Sequence, residues 1–237
     1  MRLPATVMTA AKERLADDPR FAVSLAKRAL ATQILLNLPP LRLANLIGLR
    51  LDRHLQRNDP KGRLVTHLWV PEDETKNRRL ISVPIGLTLA SMIESWITKF
   101  RPIEAAPGNL YVFPGVGQRP ITAQGMRDGI KAITHELVGV RITPHQFRHL
   151  NAIAFLKEYP GQYEMVRQML NHATVETTVR AYCGVERDDT HALFDRFNEE
   201  RQGNATPSRK RAPPGSKPSS RNPPARKPPP GKPKAGR

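Results

Sequence analysis

The C-terminal end of the chain confines any folded domain to the residues that precede it. From Arg201 to Arg237 the sequence contains eleven lysines and arginines, ten of its 23 prolines and no acidic residue. Such a segment cannot bury enough apolar surface to offset the entropy lost on ordering, and its prolines favour polyproline II. The composition therefore predicts a disordered basic tail over 201–237 and one folded domain over 1–200.

The charge of the chain predicts a polyanionic partner. Lysine and arginine number 38 against 21 acidic residues, a net charge of +17, and 27 of those basic residues precede the tail. A balance this basic favours nucleic acid as the partner ahead of a membrane surface.

The single cysteine and the shortness of the apolar runs indicate the cellular compartment of the protein. Cys183 alone allows neither a disulfide framework nor a cysteine-rich zinc site. No apolar run approaches the length of a membrane span, and the stretch "LPATVMTAA" is too weakly hydrophobic for a signal peptide. We expect a cytoplasmic protein with no membrane partner.

The hydrophobic pattern of residues 1–200 predicts a mainly α fold with a small antiparallel β-sheet. Helical spacing over 19–38 stops at Pro39-Pro40, and a short helix follows over 41–49. Two β-prone runs, "RLVTHLWV" and "RLISVPI", flank a polar turn and predict a hairpin. The pattern then indicates a helix over 87–101, a strand or extended piece at "YVFPG", and nearly continuous helix, broken by short loops, from Thr122 to Phe197.

The stretch "TPHQFRHLNA" (143–152) indicates an anion site more than a metal site. His145 and His149 have the i, i+4 spacing of a zinc-binding helix, but Gln146 stands where a zincin has its glutamate and Arg148 adds a cation. Thr143 and Gln146 fit a capping box, which places His145 and Arg148 near a helix N-terminus, where anions bind. The alternative is a capping or packing role for His145 and a solvent-exposed charge for Arg148.

The segment "MVRQMLNHATVETTVRAYCG" resembles the closing segment of the tyrosine recombinase (phage integrase) family. In that family a histidine-containing element precedes a Thr-Thr pair and a tyrosine nucleophile, and "LNH…TT…Y" is the counterpart here. The H-x-x-R element at 145–148 lies upstream, as in the family. A first arginine and a hairpin lysine of the family have counterparts in "PPLRLANLIGLRLD" and "ETKNRRLISVP".

The resemblance covers residues 20–198 and implies a catalytic-domain fold that needs neither a metal nor another cofactor. Each matching residue alone would also fit a structural role, and the family interpretation rests on six of them occurring in order. In family terms the two arginines and the second histidine bind the scissile phosphate, the lysine protonates the 5′ oxygen, the first histidine assists proton transfer, and the tyrosine forms a 3′-phosphotyrosine. These residues are Arg42, Lys76, His145, Arg148, His172 and Tyr182.

The sequence departs from the family pattern at four positions. Pro40 replaces a frequent glycine and Asn45 a frequent glutamate, next to Arg42. Tyr182 follows His172 by ten residues instead of the commoner nine, with Ala181 before it. The match also begins almost at Met1, where relatives carry an N-terminal DNA-clamp domain, so we expect weak DNA binding by the chain alone.

The resemblance implies a site-specific DNA recombinase or integrase from a mobile element or phage, with double-stranded DNA as partner. Relatives assemble as tetramers on DNA and use accessory proteins, and residues 190–198, "THALFDRFN", would pack against a neighbouring protomer or fold back onto their own core. Two alternatives are a DNA-binding remnant without catalysis and a basic RNA-associated protein. The second alternative predicts aromatic stacking surfaces, which a chain with 5% aromatic residues hardly provides.

Overall fold

Two packed helices begin the structure, a computed structural model that describes residues 3–38, 41–57, 62, 64–170 and 172–182. Helix α1 spans Leu3–Glu13 and was not predicted from the sequence, whereas α2, Pro19–Asn37, was. Asp18 caps α2 by accepting a hydrogen bond from the backbone N–H of Phe21 at 3.0 Å. The buried face of α2 forms the centre of the domain.

A short helix and a three-stranded antiparallel sheet follow. Strands β2 and β3 form the predicted hairpin, in which Leu68 pairs with Val83 and Val70 with Ile81. The edge strand β1 was not predicted, because two residues carry no alternating pattern. The elements are α3 (Leu43–Gly48), β1 (Leu55–Gln56), β2 (His67–Val70) and β3 (Ile81–Pro84).

The predicted helix over 87–101 is a composite. Helix α4, Leu87–Ser95, continues through a π-helical turn, Trp96–Phe100, into α5, Arg101–Glu104. The Trp96 indole N–H donates to the carbonyl of Val112 at 2.7 Å and ties this helix to the extended segment that follows. That segment makes isolated β-bridges instead of a regular strand.

Four helices complete the described chain, as the pattern from Thr122 predicted. Their bounds are α6 (Ala123–Val138), α7 (Pro144–Glu158), α8 (Tyr163–Leu170) and α9 (Val175–Tyr182). Thr122 caps α6, and Gly139 ends that helix with φ +72°, a left-handed conformation that glycine adopts without strain. The Thr143–Gln146 capping box of α7 is present as predicted.

Buried apolar side chains form two clusters. The large cluster draws on α1, α2, α3, α4, the π-helical turn, α6 and the sheet, together with Phe147 of α7. The small cluster lies among α7, α8 and α9. Its buried members are Ala152, Leu156, Val166, Leu170 and Tyr182. Helix α7 thus joins the two clusters.

The chain divides into two units, Met1–His191 and Ala192–Arg237, and all described residues lie in the first. The predicted tail, the segment 190–198 and the boundary at residue 200 lie outside the described residues and stay predictions. Within the described part of the chain, no helix has both the length and the apolar character to cross a membrane.

Candidate active site

A cavity of about 470 Å³ opens where the two clusters meet. Five of the six residues singled out from the sequence line it, and Lys76 does not. The lining residues are Arg42, Leu43, Arg127, Thr143, Pro144, His145, Arg148, His149, Leu170, His172 and Tyr182. None of these is acidic, and the polar side chains among them carry guanidinium, imidazole and hydroxyl groups.

The first two turns of α7 supply three of the cavity's polar side chains. The capping box fixes the start of this helix: Thr143 Oγ1 accepts from the backbone N–H of Gln146 at 3.3 Å, and the Gln146 side chain accepts from the backbone N–H of Thr143 at 2.8 Å. One helical turn separates His145 from His149, and Arg148 lies beside His149. The local sequence therefore determines which α7 side chains face the cavity.

Arg148 is 6% exposed and joins α7 to the end of α8. Its guanidinium donates to the Leu170 carbonyl at 2.6 Å, one of the carbonyls that the end of a helix leaves without an intrahelical partner. Burial, followed by the positive charge of Arg42, lowers the pKa of Arg148 to about 10. The side chain remains a cation at pH 7, held at a fixed position in the cavity wall.

Two further guanidinium groups come from elements of the large cluster. Arg42 is the N-cap residue of α3 and half-buried. Arg127 lies on α6 and donates to the Gln124 side chain at 2.7 Å. Arg127 was missed from the sequence, since one arginine on a helix gives no signal until its neighbours in space are known. With Arg148, three arginines line the cavity.

His172 is oriented by the Thr-Thr pair that was noted in the sequence. Its Nδ1 lies 3.0 Å from the buried hydroxyl of Thr178, and its carbonyl accepts from Arg167 at 3.1 Å. Burial, then the nearby Arg148 and Arg42, lower the pKa of His172 and favour the neutral ring. A neutral ring that accepts from Thr178 at Nδ1 carries its hydrogen on Nε2, which makes Nε2 the donor.

Tyr182 belongs to the small cluster and is 2% exposed. Its hydroxyl lies 2.7 Å from Nδ1 of His149, within the cavity wall. Burial raises the pKa of Tyr182, and the charge of Arg148 opposes that rise. Helix α9 thus carries the tyrosine into the same cavity as His172, despite the ten-residue separation.

His149 was considered only as half of a zinc pair in the sequence and was not selected as a site residue. In the structure its Nε2 lies 3.0 Å from Nε2 of His145, with the two rings at 86°. Burial, then His145 and Arg148, lower the pKa of His149. The i, i+4 spacing indicates the histidine pair in the sequence. The contact of His149 with Tyr182 joins residues 33 positions apart, and no local sequence pattern predicts it.

Lys76 lies in an exposed turn between the 3-10 helix Glu72–Glu74 and β3, outside the cavity lining. Asn45 donates to the Glu74 carbonyl at 3.0 Å, which ties this turn to α3. Thr75 is buried and donates to the Arg79 carbonyl at 2.8 Å. The turn is thus held on both sides of Lys76 and is tied to α3, whose N-cap residue is Arg42.

The described residues contain no group of three or more histidine, cysteine, aspartate or glutamate side chains that could hold a metal ion. The cavity's own chemistry is that of an anion site. Guanidinium groups match the geometry of phosphate oxygens and stay charged, and a tyrosine hydroxyl lies beside them. The arrangement can bind a phosphate and present an oxygen nucleophile to it.

Comparison with known proteins agrees with this chemistry. The model of the phage integrase family matches residues 9–188. The chain therefore belongs to the phage integrase family, as the sequence resemblance predicted.

Curated relatives are tyrosine recombinases. Tyrosine recombinase XerC of Pseudomonas aeruginosa (strain LESB58) is 27% identical over 206 residues, which are 86% of this chain and 63% of XerC. Tyrosine recombinase XerD of Halalkalibacterium halodurans is 28% identical over 200 residues, 83% of this chain and 62% of XerD. The chain thus spans less than two thirds of the length of these relatives.

Solved structures share the fold at lower identity. The XerH site-specific recombinase bound to palindromic difH substrate, in a post-cleavage complex, has a TM-score of 0.57 and 16% identity, covering 72% of this chain and 46% of XerH. The Tn1549 transposon integrase in complex with transposon right end DNA has a TM-score of 0.53 and 18% identity, covering 80% of this chain and 63% of the integrase. The predicted mainly α fold with a small antiparallel sheet is confirmed.

Proposed function

We propose that this chain is the strand-cutting and strand-joining part of a site-specific DNA recombinase. Tyr182 attacks a DNA phosphodiester, forms a 3′-phosphotyrosine and releases a 5′ hydroxyl, which a later step returns to the phosphate. The observation that carries this proposal is the convergence of Tyr182, Arg42, Arg148 and His172 on one cavity. The XerC and XerD relatives support it as proteins of the same class.

The arginines and His172 would bind the non-bridging oxygens of the scissile phosphate. These oxygens gain negative charge as the tyrosine attacks, and fixed guanidinium groups stabilise that charge without reorganising. Nε2 of His172, oriented by Thr178, adds a neutral donor. Because the stabilising charges are side-chain cations, the proposed reaction uses no metal ion.

The reaction also requires two proton transfers, one from the tyrosine hydroxyl and one to the departing 5′ oxygen. A tyrosine with an ordinary pKa near 10 costs about 4 kcal/mol to ionise at pH 7, and burial raises that cost. His145 assists removal of this proton, and Lys76 protonates the departing 5′ oxygen. Lys76 would reach that oxygen from the turn beside α3, on the DNA side of the cavity.

The covalent link keeps the free energy of the broken bond, so rejoining needs no nucleotide cofactor. We propose double-stranded DNA as the partner, self-association on that DNA, and action in the cytoplasm, from membership of the family. The Tn1549 integrase similarity supports a mobile-element origin.

The proposal is tested by covalent capture. The chain is incubated with a pool of nicked duplexes of randomised sequence, in which the short strand beyond the cleaved bond diffuses away and traps the adduct. Protein-linked DNA is recovered after denaturation and sequenced, which also gives the preferred site. Trapping is irreversible, so adduct accumulates even when binding is weak.

Tyr182→Phe removes the nucleophilic oxygen and keeps the ring in the small cluster. We expect no adduct from this variant and DNA affinity within a few-fold of the parent chain. Adduct formation by the Phe variant would assign the nucleophile to another residue. DNA binding without adduct by the parent chain would favour the remnant interpretation.

A further inference from the structure

The hydroxyl of Tyr182 is the first of three groups that are linked by hydrogen bonds and increase in exposure. Tyr182 is buried, His149 is half-buried and His145 is exposed. The Tyr182 hydroxyl lies 2.7 Å from Nδ1 of His149, and Nε2 of His149 lies 3.0 Å from Nε2 of His145. The three groups form a continuous path from the buried oxygen toward solvent.

One tautomer of His149 lets a proton pass along this path. When the Tyr182 hydroxyl is the donor to Nδ1 of His149, a neutral His149 carries its hydrogen on Nε2 and is the donor to His145. Burial, then the neighbouring His145 and Arg148, lower the pKa of His149 and so favour its neutral form. In this tautomer His149 accepts from Tyr182 on one side of its ring and donates to His145 on the other.

On the basis of the proposed strand-cutting function, we propose that His149 is the catalytic base for Tyr182 and passes the proton on to His145. His145 then acts on the nucleophile through His149 instead of by direct contact. A histidine so placed satisfies the first requirement of a general base, a hydrogen bond to the proton that it removes.

The relay balances over one cleavage step. As the Tyr182 oxygen bonds to phosphorus, its O–H bond breaks and the proton goes to Nδ1 of His149. The Nε2 hydrogen of His149 passes to Nε2 of His145, which leaves His149 neutral and His145 an imidazolium. The bond from phosphorus to the 5′ oxygen breaks, and Lys76 gives that oxygen its proton.

Rejoining runs the same path in reverse. The 5′ hydroxyl returns its proton to Lys76 as it attacks phosphorus, and the tyrosine oxygen leaves. The extra proton on His145 travels back through His149 to that oxygen. The tautomer of His149 is thereby reset, so each full cycle ends with the relay in its starting state.

The test compares two substitutions of His149 on the nicked duplex recovered by covalent capture. His149→Asn places an amide oxygen where Nδ1 was, so the hydrogen bond from Tyr182 remains while proton uptake is lost. His149→Ala removes both. The relay predicts that adduct formation by both variants falls on the order of 10²-fold, the usual loss for a missing general base. Added imidazole should restore part of the rate of His149→Ala only.

A second substrate separates the tyrosine's proton from the leaving group's proton. When sulfur replaces the bridging 5′ oxygen, the leaving thiol has a pKa of about 8.5 and departs without a proton donor. This substrate should rescue Lys76→Ala and leave both His149 variants slow. His135→Asn, an exposed histidine on α6, serves as the matched control and should keep the parent rate.

The outcomes distinguish the relay from the function on which it rests. No adduct from the parent chain would overturn the strand-cutting function itself. Adduct at the parent rate from His149→Asn would overturn the relay alone, because a hydrogen-bond acceptor would then suffice. Rescue of the His149 variants by the sulfur substrate would also overturn it and assign His149 to the leaving group.

Discussion

The two sides of the cavity rest on cores of different size. Arg42 and Arg127 come from elements of the large cluster, which combines six helices and the sheet. Tyr182 belongs to the small cluster, which has five buried members among the residues that the structure describes. Local stability follows the amount of buried apolar surface around an element. We therefore expect the side that carries Arg42 and Arg127 to be the more firmly supported, and the tyrosine side to be the easier of the two to release.

Helix α7 is the part of the molecule that holds the two sides together. Phe147 packs in the large cluster and Ala152 in the small one, five positions apart on one helix. The Asn151 side chain donates to the Leu35 carbonyl at the end of α2, at 2.9 Å. Arg148 donates to the Leu170 carbonyl of α8. The comparison thus predicts that the largest losses follow from changes at this junction.

Arg148→Lys should break the junction and have the largest effect. An ammonium group keeps the charge but cannot span the Leu170 carbonyl and a phosphate with one planar fork. We expect adduct formation to fall on the order of 10²–10³-fold, the usual cost of a lost oxyanion donor. The rate is measured at saturating chain on the captured duplex. Arg20→Lys, on the exposed first turn of α2, is the control, and an equal loss there would contradict the assignment.

Leu156→Ala and Leu30→Ala compare the two clusters directly. Both leucines are fully buried, one in each cluster, and each truncation should cost about 2–5 kcal/mol of local packing. Leu156→Ala should speed amide hydrogen exchange in α8 and α9 and slow adduct formation, while α2 stays protected. Leu30→Ala should lower the melting temperature of the whole domain. Equal exchange profiles would show that the domain opens as one unit.

Thr178→Val should have the smallest effect of these predicted substitutions. It tests how α9 on the tyrosine side of the cavity orients His172. Valine keeps the shape of threonine but cannot form a hydrogen bond with Nδ1 of His172, so the tautomer that we propose to donate to phosphate from Nε2 is no longer fixed. The lost hydrogen bond corresponds to about 1 kcal/mol and a rate loss of roughly fivefold. Nitrogen chemical shifts of His172 report its tautomer. Thr178→Ser should retain the parent behaviour, and an effect as large from the exposed Thr177→Val would refute the assignment.

The features that the sequence predicted well are those made by neighbours along the chain. The capping box of α7 and the β2–β3 hairpin depend on short spacings, and the structure contains both as predicted. The family resemblance implied that the six residues share one site, and five of them line one cavity. Their catalytic roles and the position of Lys76 relative to DNA stay predictions.

The features that the sequence did not predict depend on contacts between distant segments. His149 reads as a zinc candidate within "TPHQFRHLNA", and only the approach of α9 shows that its Nδ1 meets the tyrosine. In the sequence Arg127 cannot be told apart from the other arginines. Its place in the cavity lining follows only from the packing of α6 beside α3. Asn45 departs from the family pattern, yet its bond to the Glu74 carbonyl gives it a supporting function that no spacing indicates.

Tyr182 takes part both in the small cluster and in the cavity, and this constrains which residues can replace it. Its ring packs in the small cluster while its hydroxyl contacts His149, so the fold favours an aromatic ring at this position and the proposed reaction requires the hydroxyl oxygen. Descendants under selection for stability alone would be free to exchange tyrosine for phenylalanine at position 182, but not for a small or charged residue. Inactive copies that still fold should therefore accumulate phenylalanine at position 182. One nucleotide change converts a tyrosine codon into a phenylalanine codon, and the ring keeps its place in the small cluster.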